Sequence, residues 1–278
     1  MRKLFISADM EGCAAISAPH GIAPERWTWE WNDSRRWMTD EVAAACDAAL
    51  EAGYDEVIVA DSHHAAHNIE PDRLPENVRL IRSWPRPFIH MQGAEDPDVV
   101  ACAFVGYHAG STIGDSIMSH SYHGGSFRAL WLNGEACSEG YLNAVYAGEL
   151  GKPIIFVSGD QHTIVDAERY APNAVGYVAK VSIGWRSQSS LQPAQVQVQL
   201  GAAAREAFAR PLTEPYRVDG PYVLEMEMVA QVTAEMLAYL PGVERLSAYK
   251  VKVRFASAAA VMKFIAFAML YSPMGVAL

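Results

Sequence analysis

The sequence predicts an α/β fold, a mostly parallel sheet flanked by helices, with a smaller C-terminal α+β portion. Four segments are continuous apolar runs that lack the polar alternation of a sheet with one wet face. Helical patterns alternate with these runs through residue 170. Beyond residue 216 the pattern changes to a segment in which apolar and acidic residues alternate. We therefore predict two portions, a larger one at residues 1–215 and a smaller one at 216–278, which packs against it.

The larger portion is predicted to hold the sheet. The chain has 278 residues, of which 51% are hydrophobic and 19% charged, as in packed globular proteins. Strands are predicted at residues 4–9, 55–61, 99–107 and 153–158. Helices are predicted at residues 34–53, with an apolar stripe from Met38 to Leu50, at 138–151, after residue 160, and from Pro193 to residue 210.

The smaller portion is predicted from its alternation. Residues 222–229, YVLEMEMV, match an antiparallel strand with one exposed face. A helix near residues 233–240, a strand near 249–255 and a last helix follow. The most apolar stretch, residues 258–270, contains Lys263 and is shorter than the ~20 residues that a membrane span needs, so we predict a core helix.

Composition excludes some classes of binding partner and indicates the cellular compartment. The formal net charge of −10 leaves no basic footprint for nucleic acid or anionic lipid, so neither is expected as a partner. The apolar run at the N-terminus is too short for a signal peptide. The four cysteines form no CxxC pair, which favours reduced, buried thiols. We expect a cytoplasmic protein.

Polar residues stand where each of the four apolar runs ends. The endings are Asp9-Met10-Glu11-Gly12, Asp61-Ser62-His63-His64, Gly106-Tyr107-His108 and Gly159-Asp160-Gln161-His162. Because ligands bind at the C-terminal edge of an open parallel sheet, these side chains predict a metal site at that edge.

Individual positions leave alternatives open. Asp9 and Glu11 lie two residues apart, so on an extended chain both point to one side and repel each other unless a cation or proton intervenes. The alternative is that both are solvated loop acids. At and just after the second ending, His63, His64 and His67 compete as the metal ligand, and Asp61 is expected to orient the ligand's ring. His108 is either a ligand or a satisfied core histidine.

Two later segments complete the candidate site. The loop IMSHSYHGG can hold His120 as an acid–base group beside a reacting carbonyl, or it is a polar surface turn. Glu139 opens a predicted helix, where it either binds the metal or matches the helix dipole, and Glu135 competes with it. No dinucleotide-binding, P-loop, serine-hydrolase or HExxH motif occurs, and Cys13 beside the acids is better suited to packing than to nucleophilic attack.

Five of these segments together resemble one family. SADMEG, DSHH, GYHAG, MSHS and SEGYLNA, in this order, are similar to the zinc-dependent D-aminopeptidases of the dipeptide-transport-operon type. The resemblance implies that the metal ligands are Asp9, Glu11, His63, His108 and Glu139, and that His120 takes part in catalysis. It further implies two zinc ions (Zn²⁺) per subunit and a ring-shaped homo-oligomer, a decamer.

The resemblance also sets the expected reaction. We expect a zinc-dependent aminopeptidase that hydrolyses short peptides or amides containing D-amino acids, with Asp9 bridging the two ions. The alternatives are a metallo-amidase for a different acyl-amide or peptide, and a non-catalytic peptide-binding protein. One segment departs from the family: residues 27–37 carry Trp27, Trp29, Trp31 and Trp37. We expect a packed or subunit-contact helix start there, the alternative being a substrate wall or lid.

Overall fold

The computed structural model describes residues 1–18, 22–23 and 29–271. Six α-helices fall within these residues: α1 (Trp29–Glu51), α2 (Glu139–Glu149), α3 (Gln161–Ala167), α4 (Pro193–Ala209), α5 (Gln231–Leu237) and α6 (Ala258–Leu270). The strands of the first sheet are β1 (Lys3–Ala8), β2 (Glu56–Asp61), β3 (Val78–Ile81), β4 (Val99–Val105), β7 (Ile154–Asp160), β8 (Val175–Gly184) and β9 (Ser187–Ser190). The strands of the second are β5 (Phe127–Leu132), β6 (Glu135–Ala136), β10 (Tyr222–Met228), β11 (Glu244–Arg245) and β12 (Lys250–Phe255).

The first sheet confirms the predicted fold class. Its seven strands lie in the order β3-β2-β1-β4-β7-β8-β9, and all neighbouring pairs are parallel except β8 and β9. The chain proceeds from β1 outward to β2 and β3, then returns to the other side of β1 with β4. Strand order therefore reverses between β1 and β4, and the C-terminal edge at such a reversal is where open α/β sheets bind ligands.

Residues of β1 explain why the sheet is covered on both faces. Leu4 and Ile6 point into a core shared with α1 and α4, whereas Phe5 points into the opposite core, which α2, α6 and the second sheet help to form. All six residues of β1 are buried. A strand buried on both faces has no exposed face for alternating polar residues, which accounts for the apolar run at residues 4–6.

The second sheet is antiparallel, in the order β11-β12-β10-β5-β6. In β10 the residues at alternate positions are buried, as the sequence alternation predicted, and Glu225 pairs on the other face with Lys250 at 2.6 Å. Strands β5 and β6 come from residues 127–136, so this sheet joins the two predicted portions by backbone hydrogen bonds. The division at residue 215 stays a prediction.

Several elements differ from the sequence prediction. Helix α1 begins at Trp29, five residues before the predicted start. The sequence analysis missed β3, β5, β6, β8, β9 and β11, which are short, edge-located or partly exposed and so lack a long apolar run. All four cysteines are free and buried, as predicted. Within the described ranges, no helix has both the length and the apolar character to cross a membrane.

Candidate metal centre

The reversal of strand order brings the predicted metal ligands together. Asp9 and Glu11 follow β1, His63 follows β2 and His108 follows β4, so three adjacent strands deliver them to one edge. Glu139 is the first residue of α2, whose N-cap Ser138 accepts a hydrogen bond from the backbone of Tyr141. All five side chains are at least 95% buried.

Asp9, Glu11 and His63 form the first donor group. Both acids lie in a turn just beyond β1, and burial excludes the alternative of solvated loop acids. His63 Nδ1 lies 3.2 Å from Asp9 Oδ1 and 2.8 Å from Glu11 Oε2. The other ring nitrogen, Nε2, lies 2.7 Å from the carbonyl oxygen of Ile22. A carbonyl only accepts, so Nε2 carries the proton and Nδ1 of the neutral ring presents a lone pair to the carboxylates.

Asp9, His108 and Glu139 form the second group. His108 Nε2 lies 3.4 Å from Asp9 Oδ2 and 3.0 Å from Glu139 Oε1. The carbonyl of Ala109 accepts from His108 Nδ1 at 2.9 Å, which again leaves the inward nitrogen as the lone-pair donor. Asp9 therefore belongs to both groups and uses a different oxygen in each.

These contacts fit metal coordination better than hydrogen bonding. Among the described residues, Glu11 Oε2, His108 Nε2 and Glu139 Oε1 are buried and have no hydrogen-bond partner, although each lies close to another donor atom. Buried polar atoms without partners are costly, and lone pairs that face one another need a cation between them. In each group the three donor atoms lie within 4.8 Å of one another. Carboxylate and imidazole donors of this kind suit zinc.

The pKa values of the site residues also indicate closely opposed charges. Burial alone would lower the pKa of His63, but Glu11 and Asp9 outweigh it and raise that pKa well above its usual value. Burial likewise opposes the change at His108, where Glu139 and Asp9 raise the pKa to about 10. Burial raises the pKa of Glu139, although the neighbouring His108 partly offsets it. The carboxylates thus favour a positive charge between them, which a bound cation would supply.

His120 stands over both groups. Its ring stacks on the ring of His108, with centroids 4.2 Å apart and planes 14° apart. Its Nδ1 lies 2.8 Å from the carbonyl of Met118, so in the neutral ring Nδ1 carries the proton and Nε2 bears the lone pair. Burial, followed by the charge of His108, lowers the pKa of His120. A neutral imidazole therefore stands beside the candidate metal site.

A cavity of about 480 Å³ gives access to these residues. Asp9, Glu11, His63, His120 and Glu139 line it from the metal side. Its other walls are formed mainly by Ile22, Met118, Tyr122, the glycines at 124 and 125, and Trp185. No lysine or arginine of the described part of the chain lines this cavity, so its charge comes from the acids and histidines.

The structure places the competing candidates outside both donor groups. His64 is exposed and lines the cavity, His67 is exposed and does not line it, and Glu135 is exposed beside Arg169 at 3.5 Å. The expected role of Asp61 in orienting His63 is wrong, because its carboxylate accepts from Asn68 and from the backbone of Ile69 instead.

The fourth strand ending does not reach the donor groups. Asp160 caps α3 by accepting from Thr163, and it also accepts from Ser116 and the backbone of Ile117. This acid therefore anchors the segment that leads to His120. The strand-end position of Asp160 correctly predicted that it lies at the same sheet edge as the candidate ligands, but it did not predict this structural role.

Three residues near the site were missed by sequence reasoning. His90 is buried, and its Nδ1 lies 3.9 Å from Glu139 Oε1. Lys180 is buried and donates to the backbone carbonyls of the turn that follows β1. Tyr122 donates its backbone N–H to Glu139. A lysine between Ala179 and Val181 in β8 was the one available sequence signal. His90 and Tyr122 follow no strand of the first sheet.

The tryptophan-rich segment contributes no residue to the cavity within its described part. Trp29 is exposed at the start of α1, Trp31 is buried, and Trp37, also in α1, is partly buried against the core. Trp27 lies outside the described residues. These positions agree with a helix start.

Comparison with known proteins identifies the family. The family model Peptidase M55, described as D-aminopeptidase, matches residues 1–267. A D-aminopeptidase of Bacillus subtilis (strain 168) is 32% identical over 250 residues, which is 87% of each chain. The solved structure of the zinc-dependent D-aminopeptidase DppA from Bacillus subtilis, described as a self-compartmentalizing protease, superposes with a TM-score of 0.87 at 26% identity and covers 97% of this chain and 100% of that one. The five motifs therefore predicted the family correctly: the chain belongs to the D-aminopeptidases and is a metallo-aminopeptidase.

Proposed function

We propose that this chain is a zinc-dependent aminopeptidase that hydrolyses short peptides or amides containing D-amino acids at a dinuclear metal site. The observation that carries the proposal is the sharing of Asp9 by two buried donor groups, beside a neutral histidine and an open cavity. The zinc dependence of the similar DppA and the D-aminopeptidase activity named for both relatives support it.

The ligands divide naturally between two ions. Asp9 Oδ1, Glu11 and His63 would hold one zinc ion; Asp9 Oδ2, His108 and Glu139 would hold the other. Bound zinc would supply Lewis acidity toward a water molecule and toward the amide carbonyl. Five protein ligands for two ions leave coordination positions open, which distinguishes a catalytic site from a closed structural one.

His120 is proposed as the proton carrier. Its Nδ1–H is held by the Met118 carbonyl, so only Nε2 can exchange protons with the reacting groups. In the neutral ring Nε2 can accept a proton from the attacking water and then deliver it to the leaving nitrogen. A neutral Nε2 has no hydrogen to donate to an oxyanion, so the geometry favours proton transfer over oxyanion binding as its first role.

Substrate identity is the central test of this proposal. We would determine zinc per subunit, then measure product release from D-Ala-containing dipeptides and amides, from the matching L-peptides, and from acyl amides without an amino group. Two zinc ions per subunit and preferential cleavage of the D-peptides are expected. Preferential cleavage of acyl amides would establish the alternative amidase, and binding without product over hours would establish a binding protein.

Variants separate metal binding from chemistry. His108→Ala removes one of the three donors of its group and should lose zinc, whereas His120→Ala should keep zinc and lose turnover by about 10²-fold or more. His67→Ala is the matched control, because His67 is exposed and lies outside the cavity. Full turnover in His120→Ala would remove His120 from the mechanism.

We also propose that the chain assembles as a ring-shaped homo-oligomer, a decamer, in the cytoplasm. The similar DppA is described as self-compartmentalizing, which supports assembly but not a particular number of subunits. Light scattering coupled to size-exclusion chromatography gives the mass of the assembly, and electron microscopy its shape. A monomeric mass at micromolar concentration would contradict the assembly.

A further inference from the structure

Tyr122 has an unusual backbone conformation two residues after His120. Its φ angle is +58°, in the left-handed region that bulky residues rarely adopt because of steric cost. The side chain is nevertheless buried, at 7% exposure. Such a conformation persists only where surrounding contacts stabilise it, so the contacts of Tyr122 indicate what the conformation achieves.

The first contact reaches a proposed metal ligand. The backbone N–H of Tyr122 donates to Glu139 Oε2 at 2.8 Å. With Oε2 held in this way, Oε1 is the oxygen that faces His108. The left-handed turn thereby sets which oxygen of Glu139 is presented to the metal side.

The second contact joins Tyr122 to a buried polar chain beneath the site. Its hydroxyl donates to Asn143 Oδ1 at 2.9 Å, and Asn143 Nδ2 donates to the hydroxyl of Tyr107 at 2.9 Å. The hydroxyl of Tyr107 in turn donates to Ser7 Oγ on β1, at 2.7 Å. The loop of His120 is thus tied through α2 and the end of β4 to the central strand that carries Asp9.

The third contact involves the ring. The rings of Tyr122 and His90 have centroids 5.0 Å apart, and His90 Nδ1 lies 3.9 Å from Glu139 Oε1. Backbone, hydroxyl and ring are therefore all held. Buried polar groups that are fully satisfied favour one arrangement over alternatives.

We propose that Tyr122 is a positioning residue that holds the loop of His120 over the metal site. The hydrogen bond from its hydroxyl to Asn143 is the contact that holds this loop in place. This inference rests on the proposed function of that site. Tyr122 acts through the placement of His120 Nε2 and not by contact with the reacting atoms. Because proton transfer requires close geometry, a loosened loop should slow turnover without weakening metal binding.

The test is Tyr122→Phe, which keeps the ring and the backbone bond to Glu139 but removes the hydroxyl. We expect kcat for the best D-peptide to fall about tenfold, with KM within about twofold and zinc content unchanged. Tyr216→Phe is the matched control: it deletes a part-buried tyrosine hydroxyl, 3.3 Å from that of Tyr141, away from the cavity. Thermal unfolding of both variants checks the fold.

A second readout is independent of turnover. In protein labelled with ¹⁵N-histidine and loaded with zinc, the His120 signal, assigned with His120→Gln, should be single and sharp in the parent and in Tyr216→Phe. In Tyr122→Phe it should broaden or split. A Tyr122→Phe protein with parental kcat and a parental His120 signal would overturn the proposal, as would a loss of kcat that merely follows a loss of zinc. If the parent cleaves no amide, the proposed function fails, while the His120 signal still decides the positioning role.

Discussion

Lys180 offers a sharp test of how the turn that carries the proposed metal ligand Glu11 is held. It lies in β8, buried, and its ammonium donates to the backbone carbonyls of Glu11, Cys13 and Ile16, with the Cys13 bond at 2.7 Å. These three carbonyls belong to the turn that follows β1 and carries Glu11. Lys180→Met keeps the aliphatic length and removes all three donors at once.

The magnitude follows from the carbonyls left behind. Each buried carbonyl that loses its hydrogen-bond donor lowers the free energy of unfolding by about 1–3 kcal/mol. Removing the ammonium also removes the cost of burying a charge, which partly offsets this loss. Burial of that charge lowers the pKa of Lys180 to about 8. We therefore expect a loss of about 3 kcal/mol. A chain of 278 residues has an unfolding entropy of about 0.6 kcal/mol/K, so the unfolding midpoint should fall by about 5 °C.

Metal affinity should respond as well. Residues that orient metal ligands typically change affinity 10–100-fold when they are lost, and Lys180 holds the backbone of Glu11 directly. Zinc affinity is measured by competition with a chromophoric chelator, and the unfolding midpoint is measured on the zinc-free protein. Parental zinc affinity in Lys180→Met would refute the claim that this lysine positions the turn.

Lys152 provides the matched control. It is also a buried lysine, and its ammonium donates to the carbonyls of Ala94 and Asp96 at the N-terminal ends of β4 and β7, at the sheet edge opposite the site. Lys152→Met should lower the unfolding midpoint by a similar amount and leave zinc affinity unchanged. An equal loss of zinc affinity in both variants would mean that stability alone explains the effect.

Two further predictions concern residues next to this turn. Burial raises the pKa of Glu41 from 4.5 to about 7, so between these pH values the folded chain keeps a proton that the unfolded chain releases. As pH rises from about 4.5 to 7, the free energy of unfolding of the parent, measured with urea, should therefore fall by about 3 kcal/mol relative to that of Glu41→Gln. Parallel pH profiles of the two proteins would contradict this. A Cβ on Gly12 would lie 1.9 Å from the carbonyl oxygen of Tyr107, so Gly12→Ala should yield little folded, zinc-binding protein. At Gly114 the added carbon meets open space, so the control Gly114→Ala should match the parent in expression and zinc content.

The sequence predicted the sheet well where strands are buried on both faces. Such strands are continuous apolar runs, and their ends are marked by the first polar residues, as at Asp9 and His108. Strand β8 escaped prediction because exposed and buried residues are mixed along it, with Val181 exposed and Lys180 buried. Its lysine faces a turn more than 160 residues earlier in the chain, a contact that no local pattern encodes.

The candidate site was predicted as a set of side chains, and its orientation was not. The ring nitrogens that face the metal side are selected by backbone carbonyls, those of Ile22 for His63, Ala109 for His108 and Met118 for His120. Because every residue has a backbone carbonyl, residue type does not indicate which carbonyls accept these hydrogen bonds. For the same reason the sequence could not predict the contact of Tyr122 with Glu139, which is made by a backbone N–H.

Sheet topology explains why Asp9, rather than another acid of the site, is shared. β1 is the strand that pairs with both β2 and β4, and the register places Ala8 opposite Asp61 on one side and Val105 on the other. The residue that follows β1 therefore stands between the segments that carry His63 and His108, and its two oxygens meet one histidine each. Glu139 approaches only from the side of His108, and Glu11 contacts His63. The bridging role proposed for Asp9 would follow from its place at the reversal of strand order, because the residue after the central strand lies between two strand ends.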